Sequence, residues 1–349
     1  MTLLPQNLVD GPYGPHQDFI INGSFDVNQR GSVLSTSTLY QVADRHIADC
    51  SNVADTGFSQ ELRDFAIGFS DVPNSPEKYM RINFAGTTAN AASHWVTYGY
   101  RIDRPLRFVN GVWTYDLWVR PQNNMAVGIE TRMEAGSGNP ADNIAMINPQ
   151  VFPLTGGVWQ RLPIKITTPI WTPASVGAGA RLNLVLALSL GTDFSVGGNY
   201  VAAQDGYLDV AETSFTPGDN RKLPMIKAPR NPDVELWRCL PFFETSYDGY
   251  IVGTGQINGS IHYNVTAAGS IYNYITVSFL RPKRGPTSVD IYSTGDGQTG
   301  NLFNATDSAN VPASVVNVSR TLFTLRPSSS SGLGLGDALR FQFASSSEI

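Results

Sequence analysis

The stretch VWTYDLWVR, residues 112–120, places Trp113, Tyr115 and Leu117 on one side of an extended chain and Thr114, Asp116 and Trp118 on the other. Alternation with period two over nine residues is the pattern of a β-strand with one face turned into a core. One set is expected to be buried and the other exposed. The pattern recurs on both sides, in YMRINFAG (79–86), WVTYGYRI (95–102), MAVGIETRM (125–133), QRLPIKITT (160–168) and GYLDVAETSFTP (206–217). RLNLVLALSL (181–190) is apolar almost throughout and suits a strand covered on both sides. At least seven strands in about two hundred residues suit a jelly roll or similar sandwich.

Composition agrees with an all-β chain. Only 15% of the 349 residues are charged, against roughly 25% in an average soluble domain. Glycine (33) and proline (22) are frequent, as short strands joined by turns require. With 24 basic and 29 acidic residues the formal charge is −5, which excludes a nucleic-acid binder that relies on a basic field. The nearest basic cluster, RPKRG at 281–285, is expected to mark a solvated strand end. Cys50 and Cys239 are the only cysteines and sit in no metal-binding spacing.

The first seventeen residues hold Gly11, Pro12, Gly14 and Pro15 and are expected to form an extended arm (1–17). They show neither the basic start nor the apolar core of a signal peptide. No stretch approaches the roughly 20 apolar residues of a membrane span, so no membrane insertion is expected. A jelly-roll domain is expected over 18–218. The proline- and charge-rich TPGDNRKLPMIKAPRNP (216–232) then signals a linker, placed at 219–247. It carries one short helix, with Asn231 as N-cap, Pro232 in the first turn and Asp233 and Glu235 at the positive end of the dipole. Strand patterns resume in GSIHYNVTAAG, VVNVSRTLFTLRP and ALRFQFASSSEI. A smaller antiparallel β-domain is therefore expected over 248–349, with its last strand tied into a sheet.

Signals of catalysis are weak. There are four histidines, and no serine lies in a G-x-S-x-G setting. Acidic residues are scattered singly, without a readable pair of the kind glycosidases need. No cofactor is expected beyond a structural calcium ion held near Asp26 and Asp209, since hard cations take carboxylate oxygens. The competing reading makes those residues ordinary strand acids. The aromatic side chains are more suggestive: Trp95, Tyr98, Tyr100, Trp113, Tyr115 and Trp118 lie within 24 residues. Sugar rings stack their C–H faces on such side chains, so Trp95, Tyr98, Tyr100, Trp113 and Trp118 are the candidate glycan contacts, to the extent that they are exposed.

The opening INGSFDVNQRG with YQVADRHIAD resembles the start of a family of tailed-phage virion proteins, which typically reads N-G-x-F-x-x-x-Q-R-G … Y-x-A-D-R-W. Later landmarks keep their order. GGVWQRLPIKI is similar to the family's W-Q-R strand, ELWRCLPFFETSY to its E-L-x-x-C helix, VSFLRPKRGPTSVDIYST to a P-T-x-x-x-Y-S element and FQFASSSEI to its closing residues. His46 stands where the family has Trp, and Pro241-Phe242 replaces Gln-Arg. The resemblance implies a jelly roll like that of glycan-binding modules, a connecting helix and a C-terminal β-domain. It implies a homo-oligomer, typically a trimer, in a tail fibre or other virion appendage. It supplies no catalytic residues. The expected protein is a non-enzymatic virion component whose partners are other virion proteins and a host-surface polysaccharide. A glycan depolymerase and a purely architectural decoration protein are the alternatives. Asp44 and Arg45 are expected to act structurally, through an ion pair or a bonded turn.

Overall fold

The structure is a computed structural model that describes residues 18–348, apart from 33, 37, 41, 52–55, 70, 89–91, 137–143, 171–176, 178, 195–200, 226–230, 250, 267–272 and 329–332. The side chains of 144–149 are likewise not described. The expected N-terminal arm lies outside the described residues.

The chain divides into two compact units. Among the described residues, unit 1 contains eleven strands: β1 (Leu34–Ser35), β2 (His46–Cys50), β3 (Ser59–Asp64), β4 (Lys78–Ala85), β5 (Trp95–Asp103), β6 (Val112–Pro121), β7 (Met125–Glu134), β8 (Ile144–Leu154), β9 (Gln160–Thr167), β10 (Arg181–Leu190) and β11 (Asp205–Pro217). They form a six-stranded sheet in the order β1-β3-β4-β11-β6-β9 and a five-stranded sheet in the order β2-β5-β10-β7-β8. All pairings are antiparallel. Alternate residues of both sheets meet in one core: Met80, Ile82, Tyr115, Leu117, Ile164, Leu208 and Phe215 from the first, and Val96, Tyr98, Tyr100, Ile129, Leu184 and Leu186 from the second. This is the jelly-roll sandwich expected from the period-two pattern. Removing one of its large side chains, as in Phe215→Ala, costs about 3–5 kcal/mol.

The INGSF turn fastens this sandwich. Asn22 and Phe25 take positive φ (59° and 62°), and the Phe25 N–H donates to the Asn22 carbonyl at 3.0 Å. A bulge interrupts the β11–β6 register between Ala211 and Ser214, and its Thr213 N–H donates to the Gly23 carbonyl at 2.8 Å. Asn22 Nδ2 donates to the Asp44 carbonyl at 2.9 Å. His46 is fully buried; its Nε2 lies 2.8 Å from the Asn22 carbonyl and its Nδ1 2.8 Å from the Tyr98 hydroxyl. A carbonyl only accepts, so Nε2 carries the proton and Nδ1 accepts from Tyr98. Arg45, also buried and at φ 73°, donates from Nη2 to the Arg101 carbonyl at 2.7 Å. The polar residues of the opening motif thus hold a turn.

Unit 2 contains α1 (Pro232–Cys239), β12 (Phe243–Thr245), β13 (Ile261–Asn264), β14 (Ile275–Ser278), β15 (Ser288–Ser293), β16 (Asn301–Asn304), β17 (Ala309–Val318), β18 (Leu322–Pro327) and β19 (Ala338–Ser346). The strands form one sheet along β12-β19-β16-β17-β18-β14, with β13 and β15 also pairing β19. Strand β19 therefore seats four others. Phe279, Phe323, Phe341 and Phe343 centre the core.

Two boundaries differ from the expectation. Helix α1, assigned to a linker, belongs to unit 2. So does Val27–Ser32, which the sequence pattern assigned to the first domain. Within unit 2, Arg30 pairs with the buried Glu348 carboxylate and stacks 3.9 Å over the Phe243 ring, while Gln29 Nε2 donates to the Phe243 carbonyl at 3.0 Å. Sequence position gave no sign of this, because the partners lie more than 200 residues away.

Candidate functional site

The outer face of the five-stranded sheet carries a groove of about 430 Å³. Its floor follows from the strand register. Thr97 of β5 stands opposite Ala187 of β10, Gly99 opposite Val185, and Arg101 opposite Asn183. On the far side Val185 faces Glu130 of β7 and Asn183 faces Arg132. On the near side Gly99 faces Ile47 of β2, and Thr97 faces Asp49. The middle of the floor is thus Thr97, Gly99 and Val185, and small side chains leave a concavity. Gly99 cannot carry a side chain here, since a Cβ would come within 2.9 Å of the Leu184 carbonyl oxygen.

One end of the groove is aromatic. Trp95 opens β5, Phe194 closes the short helical turn Thr192–Phe194, and both pack half-buried against Ala187, Leu190 and Val201. The other end is polar: Arg181 Nε donates to Glu134 Oε2 at 2.6 Å, Asn183 Nδ2 donates to Glu134 Oε1, and Arg132 pairs with Glu130. From Trp95 to Arg101 the strand runs roughly 20 Å at about 3.3 Å per residue, so the groove suits an elongated ligand. Burial pushes the Asp49 carboxyl above its ordinary range, against the pull of the Cys50 N–H at 3.0 Å and the charge of Arg101.

Most of the aromatic candidates lie elsewhere. Tyr98 and Tyr100 point into the sandwich, as do Trp113 and its neighbour Tyr115. Burial raises the Tyr98 and Tyr115 phenols far above their usual range. Tyr98, Tyr100 and Trp113 are therefore corrected from glycan contacts to core residues, because a ring at 3% exposure or less offers a sugar no face. Trp118 does face outward, but from the six-stranded sheet, where Phe65, Phe69, Tyr79 and Trp159 pack around it. Only Trp95, of the five, lines the groove through an exposed face. Phe194 was missed because a lone Phe after TD carries no pattern.

Asp209 is also corrected. Its carboxylate is fully buried and accepts Arg81 Nε at 2.6 Å, Arg81 Nη2 at 2.9 Å, Arg120 Nε at 2.9 Å and Arg120 Nη2 at 2.7 Å. Two guanidinium groups fill the places a calcium ion would need. Asp26 is half-buried, and among the described residues no three potential ligating side chains converge. The RPKRG cluster is not a solvated strand end either. Lys283 is fully buried, its Nζ donating to the Leu240 carbonyl at 2.7 Å and to Glu244 Oε2 at 2.8 Å. Arg281 and Arg284 lie over the Trp237 and Phe242 rings.

No protein-family model matches the chain, and no curated protein does. Solved structures similar to parts of it include the enzymatically active domain of tailspike protein 4 from bacteriophage CBA120, with 9% identity and a TM-score of 0.35 over 59% of this chain and 22% of that one. The chain thus spans under a quarter of that protein's length. A CBM4 structure matches with 13% identity and a TM-score of 0.32 over 56% of this chain and 98% of that one. A Stig cyclase from Fischerella matches with 11% identity and a TM-score of 0.35 over 58% and 98%. At such scores the matches carry no argument; the jelly-roll assignment rests on the strand order and the shared core.

Proposed function

We propose that unit 1 binds an extended glycan along the outer face of its five-stranded sheet, and that the protein does so as a non-enzymatic component of a phage virion appendage. The groove carries this reading: a shallow floor, an aromatic end for a sugar's C–H face, and carboxylates, guanidiniums and an amide along its length for hydroxyls. A binding role fits better than hydrolysis. Asp49 and Glu130 sit on strands separated by two others, so their backbones stand about 14 Å apart at 4.8 Å per strand, a wider frame than the roughly 5–10 Å between the carboxyl groups of a glycosidase pair favours.

The virion assignment rests on the sequence resemblance. The family's Q-R-G motif and its closing Glu meet in one contact, Arg30 to Glu348, and its N-G and A-D-R motifs meet through Asn22 and Asp44. A homotrimer would present three grooves, and linked weak sites raise avidity by roughly 10² or more.

The test is a glycan array probed with the full chain beside Trp95→Ala and Phe194→Ala. Binding weakened about tenfold by either substitution supports the groove, a factor equal to about 1.4 kcal/mol. Binding unmoved by both would place the site elsewhere. Steady release of reducing ends from a bound polymer would make the protein an enzyme.

A further inference from the structure

The charge pattern of the groove discriminates among glycans. Four carboxylates line it, Asp49, Glu130, Glu134 and Asp193, against two guanidiniums, Arg101 and Arg132. Each cation already has an acid at hand. Arg132 pairs with Glu130, the charge of Arg101 acts on Asp49, and Glu134 is held from outside the lining by Arg181. Asp193 is exposed on the turn beside the aromatic end. An incoming anion would therefore meet no cation without a carboxylate beside it. To approach Arg132 it would come up against the Glu130 carboxylate already paired there, and like-charge repulsion would offset much of the attraction.

An uncharged sugar meets the opposite situation. Its hydroxyls donate to the carboxylate oxygens and accept from the guanidinium N–H groups without disturbing the pairs, and such charge-assisted bonds are the stronger kind.

We infer that the groove takes an uncharged polyhydroxyl glycan and rejects polysaccharides bearing carboxylate, sulfate or phosphate groups. This inference rests on the glycan reading of the groove given above.

Affinity electrophoresis of the full chain tests it. The neutral polymers are galactomannan, dextran and mixed-linkage β-glucan; the acidic ones are polygalacturonate, alginate and heparin. The gels are run near 0.01 M ionic strength, where screening reaches only to about 30 Å, and again near 1 M, where it falls to about 3 Å. The expected result is retardation by at least one neutral polymer, with acidic polymers at least tenfold weaker at low salt. The gap should narrow in the double variant Glu130→Gln, Asp193→Asn. Acidic polymers bound as well as neutral ones or better, and released by Trp95→Ala, would overturn the inference and leave the groove as the site. Retardation by none of the polymers, or retardation indifferent to Trp95→Ala, would overturn the groove reading and the inference together.

Discussion

The two outer faces of the unit 1 sandwich are built from opposite materials. Across the six-stranded sheet, Glu61, Arg81, Asp209 and Arg120 stand opposite one another on β3, β4, β11 and β6, a row of alternating charge. Arg81 stacks 3.6 Å over Tyr207, and Arg120 lies 4.9 Å over Trp159. Arg161 clamps Asp116 on the same face, and Phe65, Phe69 and Trp159 cover the rest. Across the five-stranded sheet the corresponding positions are Thr97, Gly99 and Val185. Large aromatic groups and paired charges cover the middle of the first face; on the second they stand at the two ends of the groove and leave its middle open. In this protein, density of Trp and Tyr marks the covered side and small residues mark the accessible one.

Breaking the closed face should have the largest effect. Asp209→Asn leaves two arginines around a neutral group in a dry setting and is expected to cost unit 1 about 3–5 kcal/mol, read as a fall in denaturant midpoint. An unchanged midpoint would show that this row of charges is not structural. The reciprocal experiment fills the open face. Gly99→Val drives a side chain against the Leu184 carbonyl and is expected to cost roughly 1–3 kcal/mol while abolishing any glycan binding.

A crossed pair of smaller changes sharpens the contrast. Trp95→Ala should weaken glycan binding about tenfold with little loss of stability, whereas Trp118→Ala should cost stability of about 1–3 kcal/mol and leave binding intact. Calorimetry on both variants separates the two faces; the same outcome for both would erase the distinction. The smallest effect concerns Asp116. Burial raises its carboxyl more than Arg161 lowers it, so the folded chain holds this proton more tightly than the unfolded chain does. Its contribution is therefore full below the ordinary carboxylate value of 3.8 and is lost as pH rises through the elevated folded value. Asp116→Asn should flatten that part of the stability–pH curve; an unaltered slope would contradict it.

The sheets were legible in the sequence because a half-buried strand repeats its chemistry every second residue, and β4, β5, β6, β7 and β11 all do so. Helix α1 was legible from its proline start and acidic first turn. The site was legible only at Trp95. Alternation separates the two sides of β6 without showing that residues from distant loops cover both. A floor of Thr, Gly and Val has no signature at all, since its function is to leave space. The burial of Lys283 was hidden for a related reason: its compensating acid, Glu244, stands 39 residues earlier.

Strand β19 has a consequence for how the protein is made. Among the described residues, every other strand of unit 2 leaves the ribosome before the one that seats β12, β13, β15 and β16. Arg30 waits through 318 further residues for Glu348, roughly 15 to 60 seconds at ordinary rates of translation. Unit 1 has its last strand by Pro217 and can mature during that interval, while β12, β13 and β15 of unit 2 remain without the strand they pair with. A chain interrupted before Ala338 would carry a finished sandwich and the paired strands β14, β16, β17 and β18, with β12, β13 and β15 left lacking the strand they pair with, the kind of polypeptide that chaperones retain and proteases clear.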